Sequence, residues 1–295
     1  MRPEIIRFQE WLHLRYPKTT TPKHYFNDVK LFFTLIKKAV DQVTSSDIDD
    51  YIKNCHNQNH RPTTINRRLA SIRSFYAYLS IEQEDAPPDP VNPKRHFQPC
   101  GKPLPRDARD EEIAQLFSII QQPRDQTMFL MMLRCGLRVS EVRNLSLTDL
   151  YLHSAIGRLP RMIVHGKGNV QRTAYLSSQT VRSLMVWLTH RPTATSQALF
   201  LNKYNQRLTV SGIQDRLARY CRQAGIWITC HQLRHTFGRH LTEAQVPVTS
   251  IQKLLGHAQL RSTEVYMHIS DPKVQQDYET AMSLILKRST WAVPL

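Results

Sequence analysis

The chain is 295 residues long, room for about two domains with cores of their own. Its 40 lysines and arginines face 24 acidic residues, a formal net charge of +16 with a pI near 9.9. That excess points to a polyanionic partner, nucleic acid or an acidic membrane surface. No apolar run approaches the roughly 18 residues that span a bilayer, and the N-terminus lacks a signal peptide's apolar stretch. The five cysteines are scattered, odd in number and never spaced C-x-x-C, so neither a disulfide framework nor a zinc knuckle is indicated. A reduced, cytoplasmic setting is expected.

Residues 1–86 read as helices without strands. IIRFQEWLHL carries an apolar stripe. Thr21-Pro22 has the form of a cap followed by proline at the first helical position, opening a helix through about Lys38. Ser46 precedes Asp47 and Asp49, acids suited to a helix N-terminus. Pro62 opens the longest helix, in which Ile65, Leu69, Ile72, Tyr76 and Leu79 line one face while Arg67 points away, with Arg68 and Arg73 on the flanks. Four helices in a small bundle is the economical arrangement. The arginine face either follows a DNA backbone or is simply solvated; the pattern leaves both readings open.

Residues 87–106 hold six prolines, from Pro87 to Pro105, and read as a semi-rigid, extended linker. Lys94 and Arg95 within it are further candidates to track phosphates. From residue 107 to 295 helical patterns return. One opens on Asp110, Glu111 and Glu112; another runs from about Arg124 to Cys135 and stops at Gly136; a short one, VSEVRNL, follows Arg138. RMIVHG (161–166) and 171–177 read as two antiparallel strands joined by a turn at Lys167–Val170. Helices resume near Ser178. Residues 231–266 then place His231 and Arg234 at i, i+3 on one helix face, a second helix stopping at Gly256, His257 just beyond it, and Tyr266 nine residues later. Asp271-Pro272 opens a terminal amphipathic helix with Val274, Tyr278, Met282 and Ile285 on one side.

Taken singly, each of these residues has an ordinary structural explanation: a satisfied polar histidine, a surface arginine, a half-buried tyrosine, a hairpin lysine. Their order and spacing are harder to explain by packing. H-x-x-R, then L-G-H, then a lone tyrosine, preceded by CGLRVSEV and VHGKGNVQR, resembles the signature of the tyrosine recombinases (phage-integrase superfamily, Xer-type recombinases included). The motifs cover roughly residues 107–270; residues 1–86 match the family only in size and helical character. Cys135, His165, Val170 and Gln171 depart from the usual pattern without removing a candidate group.

The resemblance implies a mainly α fold with a small antiparallel sheet: an N-terminal four-helix, SAM-like core-binding domain (1–86), the linker (87–106) and a mixed α+β catalytic domain (107–295). It implies site-specific strand exchange on double-stranded DNA through a 3′-phosphotyrosyl intermediate, a dimer on a core site and a tetramer in the synapse, and a cytoplasmic, nucleoid-associated protein. The implied catalytic residues are Arg138, Lys167, His231, Arg234, His257 and Tyr266, with Tyr266 as nucleophile, Arg138 and Arg234 as a bidentate phosphate clamp, Lys167 as general acid and Glu141 in support. His231 is chosen as base over His257, though the sequence does not separate the two. The helix at 272–290 either packs on its own domain or docks on a neighbouring protomer.

No cofactor is expected: there is no G-x-x-x-x-G-K-[ST] loop and no H-E-x-x-H. Five histidines between 231 and 268 suggest a metal at first sight, but Gln232 stands where a metalloprotease needs glutamate and Arg234 would repel a cation, so no metal site is assigned. Two other readings compete: a DNA-bridging protein that does not cut, for which Tyr266 has no use, and a type IB topoisomerase-like strand relaxer.

Overall fold

The computed structural model describes residues 2–17, 21–101, 107–152, 159–166, 171–256 and 272–288. It divides into two compact units, Met1–Pro103 and Leu104–Leu295.

In the first unit, α1 (Pro3–Arg15), α2 (Thr21–Ile36), α3 (Ser45–Asn57) and α4 (Pro62–Glu82) form a helical bundle. The stripes anticipated for α1 and α4 face inward, Ile5, Phe8 and Leu12 from the first and Ile65, Leu69 and Ile72 from the second, and α3 adds Ile48, Tyr51 and Ile52. Phe75 closes the core edge-on against Phe8 and Phe33, with centroids 5.3 and 5.6 Å apart. The cap of α3 is Thr44, and Ser46 lies in its first turn. Its N–H and hydroxyl both donate to Asp47 Oδ2 at 2.9 Å, the N3 carboxylate reaching back over the helix start.

The proline-rich stretch behaves differently from a free extended linker. Residues 89–98 lie against the bundle. Val91 and His96 are buried, a single turn α5 (Pro93–His96) is capped by Asn92, and Asn66 exchanges two hydrogen bonds with the backbone of Gln98 at 2.7 and 2.8 Å. Proline forbids a continuous helix but not side-chain packing, and the bundle supplies polar partners for the backbone.

The second unit is built on α7 (Pro123–Cys135), whose residues Met128–Leu133 are all fully buried. Helices α6 (Asp110–Ile119), α8 (Val139–Asn144), α9 (Ser178–His190), α10 (Val210–Ala224) and α11 (Cys230–Glu243) surround or abut it. A three-stranded antiparallel sheet in the order β1 (Leu150–Tyr151), β2 (Arg161–His165), β3 (Gln171–Tyr175) packs Met162, Val164 and Ala174 into the same core. The hairpin register, Arg161 opposite Tyr175 and His165 opposite Gln171, agrees with the two strands expected; β1 carries too short a pattern to be seen in advance.

A second core in this unit joins α11, α12 (Val248–Leu255) and α13 (Pro272–Arg288). Val274, Tyr278, Ala281, Met282 and Ile285 turn inward against Phe237, Leu241 and Leu254. Ser250 Oγ donates to Asp277 Oδ2 at 2.6 Å, and the Tyr278 hydroxyl donates to the carbonyl of the buried Arg134 at 3.1 Å. In this single chain α13 therefore covers its own domain, one of the two placements the sequence leaves open. Among the described residues no helix is long and apolar enough to cross a membrane.

Candidate active site

Two left-handed glycines set the stage. Gly136 ends α7 with φ 62°, and a Cβ there would lie 2.4 Å from Phe237 Cδ1 of α11. The chain can turn sharply and α11 can approach closely only because the side chain is missing. Arg138 follows as the N-cap of α8. Its N–H donates to Glu141 Oε2 at 2.8 Å, the N3 carboxylate of that helix, and its Nη1 donates to Glu141 Oε1 at 2.7 Å. Gly256, also at φ 62°, ends α12 and brings three carbonyls toward the same place.

Helix α11 supplies the next pair. Thr229 caps it: its Oγ1 accepts from Gln232 N at 3.2 Å while Gln232 Oε1 accepts from Thr229 N at 2.9 Å. Arg234, one turn in, is buried. Its Nη1 donates to the Gly136 carbonyl at 2.6 Å and stands 3.5 Å from Glu141 Oε2; its Nη2 donates to the Leu255 carbonyl. Burial, reinforced by the nearby Arg138 cation, pushes the Arg234 pKa down to about 10, so the guanidinium stays charged at neutral pH. Burial alone would raise the Glu141 pKa, but Arg172 and the bonds from Arg138 hold it below the usual carboxylate range.

Arg172, on β3, is the member that sequence reading missed. Its Nη2 donates to Glu141 Oε2 at 2.9 Å and its Nη1 to the Leu254 carbonyl at 2.7 Å. It lies inside the quoted VHGKGNVQR stretch, but an arginine in a strand next to a turn carries no local sign that it will be buried. Around the single Glu141 carboxylate, then, are three guanidiniums from α8, β3 and α11.

His231 sits one turn before Arg234 and is partly exposed. Its Nε2 shares a hydrogen bond with Nε2 of His235 at 2.8 Å. Partial burial, then His235, Arg234 and Arg138, hold its pKa below the ordinary histidine value. A neutral imidazole that can accept a proton is the outcome at pH 7.

The structure thus gathers Arg138, Glu141, His231 and Arg234. Lys167, which lies in the chain between β2 and β3, and His257 and Tyr266, which follow α12, fall outside the described residues. Among the described residues no group of three or more His, Cys, Asp or Glu side chains is arranged to hold a metal ion.

The five candidate DNA contacts of the first unit are a different matter. Arg67 pairs with the buried Asp28, which also accepts from Ser71 Oγ at 2.8 Å. Arg73 Nε donates to Asp89 at 3.0 Å, Arg95 pairs with Asp49, and Arg68 Nη1 lies 3.6 Å from Cys55 Sγ. Of the five, Lys94 is exposed with no ion-pair partner among the described residues.

Comparison with known proteins bears on both units. The model of the phage integrase family matches residues 107–273, and that of its N-terminal SAM-like domain matches residues 5–83. A tyrosine recombinase XerC from Alcanivorax borkumensis is 31% identical over 82% of this chain and 80% of its own length. One from Oceanobacillus iheyensis is 30% identical over 93% and 94%. A lambda integrase dimer bound to a core site shares the fold, with TM-score 0.69 over 95% of each chain at 14% identity.

Proposed function

The chain belongs to the phage integrase family, and from that premise we propose that Arg138, Glu141, Lys167, His231, Arg234, His257 and Tyr266 carry out its chemistry as a site-specific recombinase. The protein cleaves and rejoins DNA strands through a tyrosine. The observation that supports this assignment of residues most is the cluster at the ends of α7 and α12: Arg138 and Arg234, 96 positions apart in the chain, both bonded to or beside Glu141.

A phosphodiester resists attack because its anionic oxygens repel nucleophiles, and its transition state carries more charge on those oxygens. Planar guanidiniums held in advance stabilise that charge without rearranging during the reaction. Glu141 keeps the Arg138 fork turned toward the cluster. A free tyrosine phenol ionises near pH 10, with only about one in a thousand as phenolate at pH 7, so a tyrosine nucleophile needs a base. His231, held neutral, takes the phenol proton as the oxygen attacks phosphorus. His257 donates a hydrogen bond to a non-bridging oxygen, and Lys167 protonates the departing 5′-oxygen. The strand is left esterified through its 3′-phosphate to Tyr266. A 5′-hydroxyl from a second duplex then attacks this ester, displacing the tyrosine and joining new strands. One phosphoester is exchanged for another at each step, so no nucleotide hydrolysis is needed.

The partner is double-stranded DNA carrying a recombination site, met by two copies of the chain per site and four when two sites are joined. The net charge of +16 accords with that partner. A cytoplasmic, nucleoid-associated protein follows from this reading. Over a non-cleaving bridging protein or a strand relaxer, it is favoured by the tyrosine recombinases that match most of the chain.

The test uses nicked fragments of genomic DNA that lose a short oligonucleotide once cut. The wild-type protein forms a covalent adduct stable to denaturant, and sequencing the trapped fragments gives the target and the cut. Tyr266→Phe still shifts the same fragments in a gel but forms no adduct. An adduct persisting in that variant would remove Tyr266 as nucleophile.

A further inference from the structure

We propose that Arg172 is a positioning residue for strand cleavage, acting through Glu141 and the end of α12 to hold Arg138 and Arg234 in the orientation that meets the phosphate. The inference rests on the recombinase reading above and adds a residue to it.

The end of α12 is where the three arginines converge. A helix leaves its last carbonyls without intrahelical partners, and its dipole makes that end partly negative. Here three successive carbonyls are each taken by a different guanidinium: Leu254 by Arg172 at 2.7 Å, Leu255 by Arg234, and Gly256 by Arg138 at 3.4 Å. The same three arginines meet again at Glu141, with Arg172 and Arg138 donating to its two oxygens at 2.9 and 2.7 Å and Arg234 at 3.5 Å. Arg172 also lies 3.5 Å from the Gly136 carbonyl, which Arg234 takes at 2.6 Å. Each of the two proposed clamp residues therefore shares with Arg172 both a carboxylate and a stretch of backbone.

Arg172 differs from the other two in what it leaves for DNA. Its side chain is 12% exposed, against 42% for Arg138, and both its Nη atoms are engaged by protein acceptors. Its stem is pressed against the backbone of Gly256: a Cβ on Gly256 would lie 2.6 Å from Arg172 Cδ and 2.8 Å from its Nε. The residue immediately after Gly256 is His257, so the same side chain braces the point from which that candidate emerges. Lysine cannot reproduce this. A single ammonium reaches Leu254 O or Glu141 but does not bridge them as a planar fork does.

The test separates positioning of the clamp from general support of the fold by changing the charge on the substrate. The fragment that the wild-type protein traps is rebuilt as a suicide duplex with either the natural phosphate or an uncharged methylphosphonate at the cut. Adduct formation is followed in single turnover for the wild type, Arg172→Lys, Arg172→Gln and Arg234→Ala, with melting and DNA binding measured alongside. The Arg172 variants are expected to bind DNA like the wild type and to cleave the phosphate about 30-fold more slowly. On methylphosphonate, where there is less charge to hold, the deficit shrinks to about threefold or less, in parallel with Arg234→Ala. An equal deficit on both duplexes, or none on the phosphate, overturns the proposal. If Arg172→Gln does not fold, Arg172→Lys decides; failure of both to fold assigns Arg172 to the core and also overturns it. A wild-type protein that traps no DNA refutes the recombinase chemistry itself, an outcome distinct from a wild type that cleaves while its Arg172 variants show no substrate dependence.

Discussion

The arginines of the two units are held in opposite ways. In the first unit three of the four candidate arginines have a carboxylate each: Arg67 with Asp28, Arg73 with Asp89, Arg95 with Asp49, and all three guanidiniums are well exposed. In the second unit three arginines share one buried carboxylate, Glu141, and each also donates from an Nη atom to a backbone carbonyl. Pairing one to one cancels charge and leaves little field. Sharing three to one leaves a formal excess of two positive charges around a buried carboxylate, with Arg172 and Arg234 largely withdrawn from water and Arg138 open to it, so an anion arriving there is held more strongly than beside a neutralised surface pair. The number of positive residues matters less than how many carboxylates stand among them.

The comparison can be broken most directly at Glu141. Glu141→Ala leaves Arg172 and Arg234 buried without their counter-ion, and a stability loss of about 3–5 kcal/mol is expected in chemical denaturation. A loss no larger than that of a surface carboxylate would mean the carbonyls alone compensate the cations. Next comes Arg234→Ala, which should slow adduct formation by about a hundredfold or more, roughly 3 kcal/mol of transition-state stabilisation, while DNA affinity changes little. Equal losses in cleavage and binding would reduce Arg234 to a phosphate anchor.

Smaller effects come from the histidines. The pKa of His240 is depressed, chiefly by burial, against the opposing pull of its bond to Asp110, and that of His231 is depressed by partial burial and its cationic neighbours. A histidine depressed in the folded state binds its proton more readily when unfolded. Stability is therefore unaffected above about pH 6.5 and falls below it, by no more than about 1.4 kcal/mol per pH unit for each such histidine. Melting temperatures between pH 7.5 and 5 should show this slope, and His240→Asn should flatten it; an unchanged slope would clear His240. The smallest effect is expected at Arg73. Arg73→Ala should cost less than about 1 kcal/mol of stability and leave DNA affinity within about threefold. A tenfold weakening, read by titration with a labelled duplex, would show that the Asp89 pair opens to phosphate and would narrow the contrast between the units.

Much of this was legible from residue order. Apolar periodicity marked α4 and its inward face and the spans of α7 and α11, Gly136 and Gly256 marked two helix ends, and the β2–β3 hairpin stood out between its turn residues. These features depend on neighbours within about a turn or a strand, so a short window contains their cause. The pairing of Arg138 with Glu141 is of the same kind, three residues apart at a helix start.

Other features depended on residues far apart in the chain. Arg172 is buried because α12 ends against β3, which brings Glu141, Arg172 and the carbonyls of 254–256 together from three separate stretches. Residues 89–98 lie on the bundle because Asn66 and Asp49 happen to face them, which no count of prolines reveals. Arg134 sits fully buried in α7, next to His240, where periodicity would allow it any face. Local pattern decides which elements form and which side turns inward. Which charge loses its water, and which carboxylate it then shares, is decided only when distant segments meet, because desolvation depends on everything that surrounds a group and not on its neighbours in sequence.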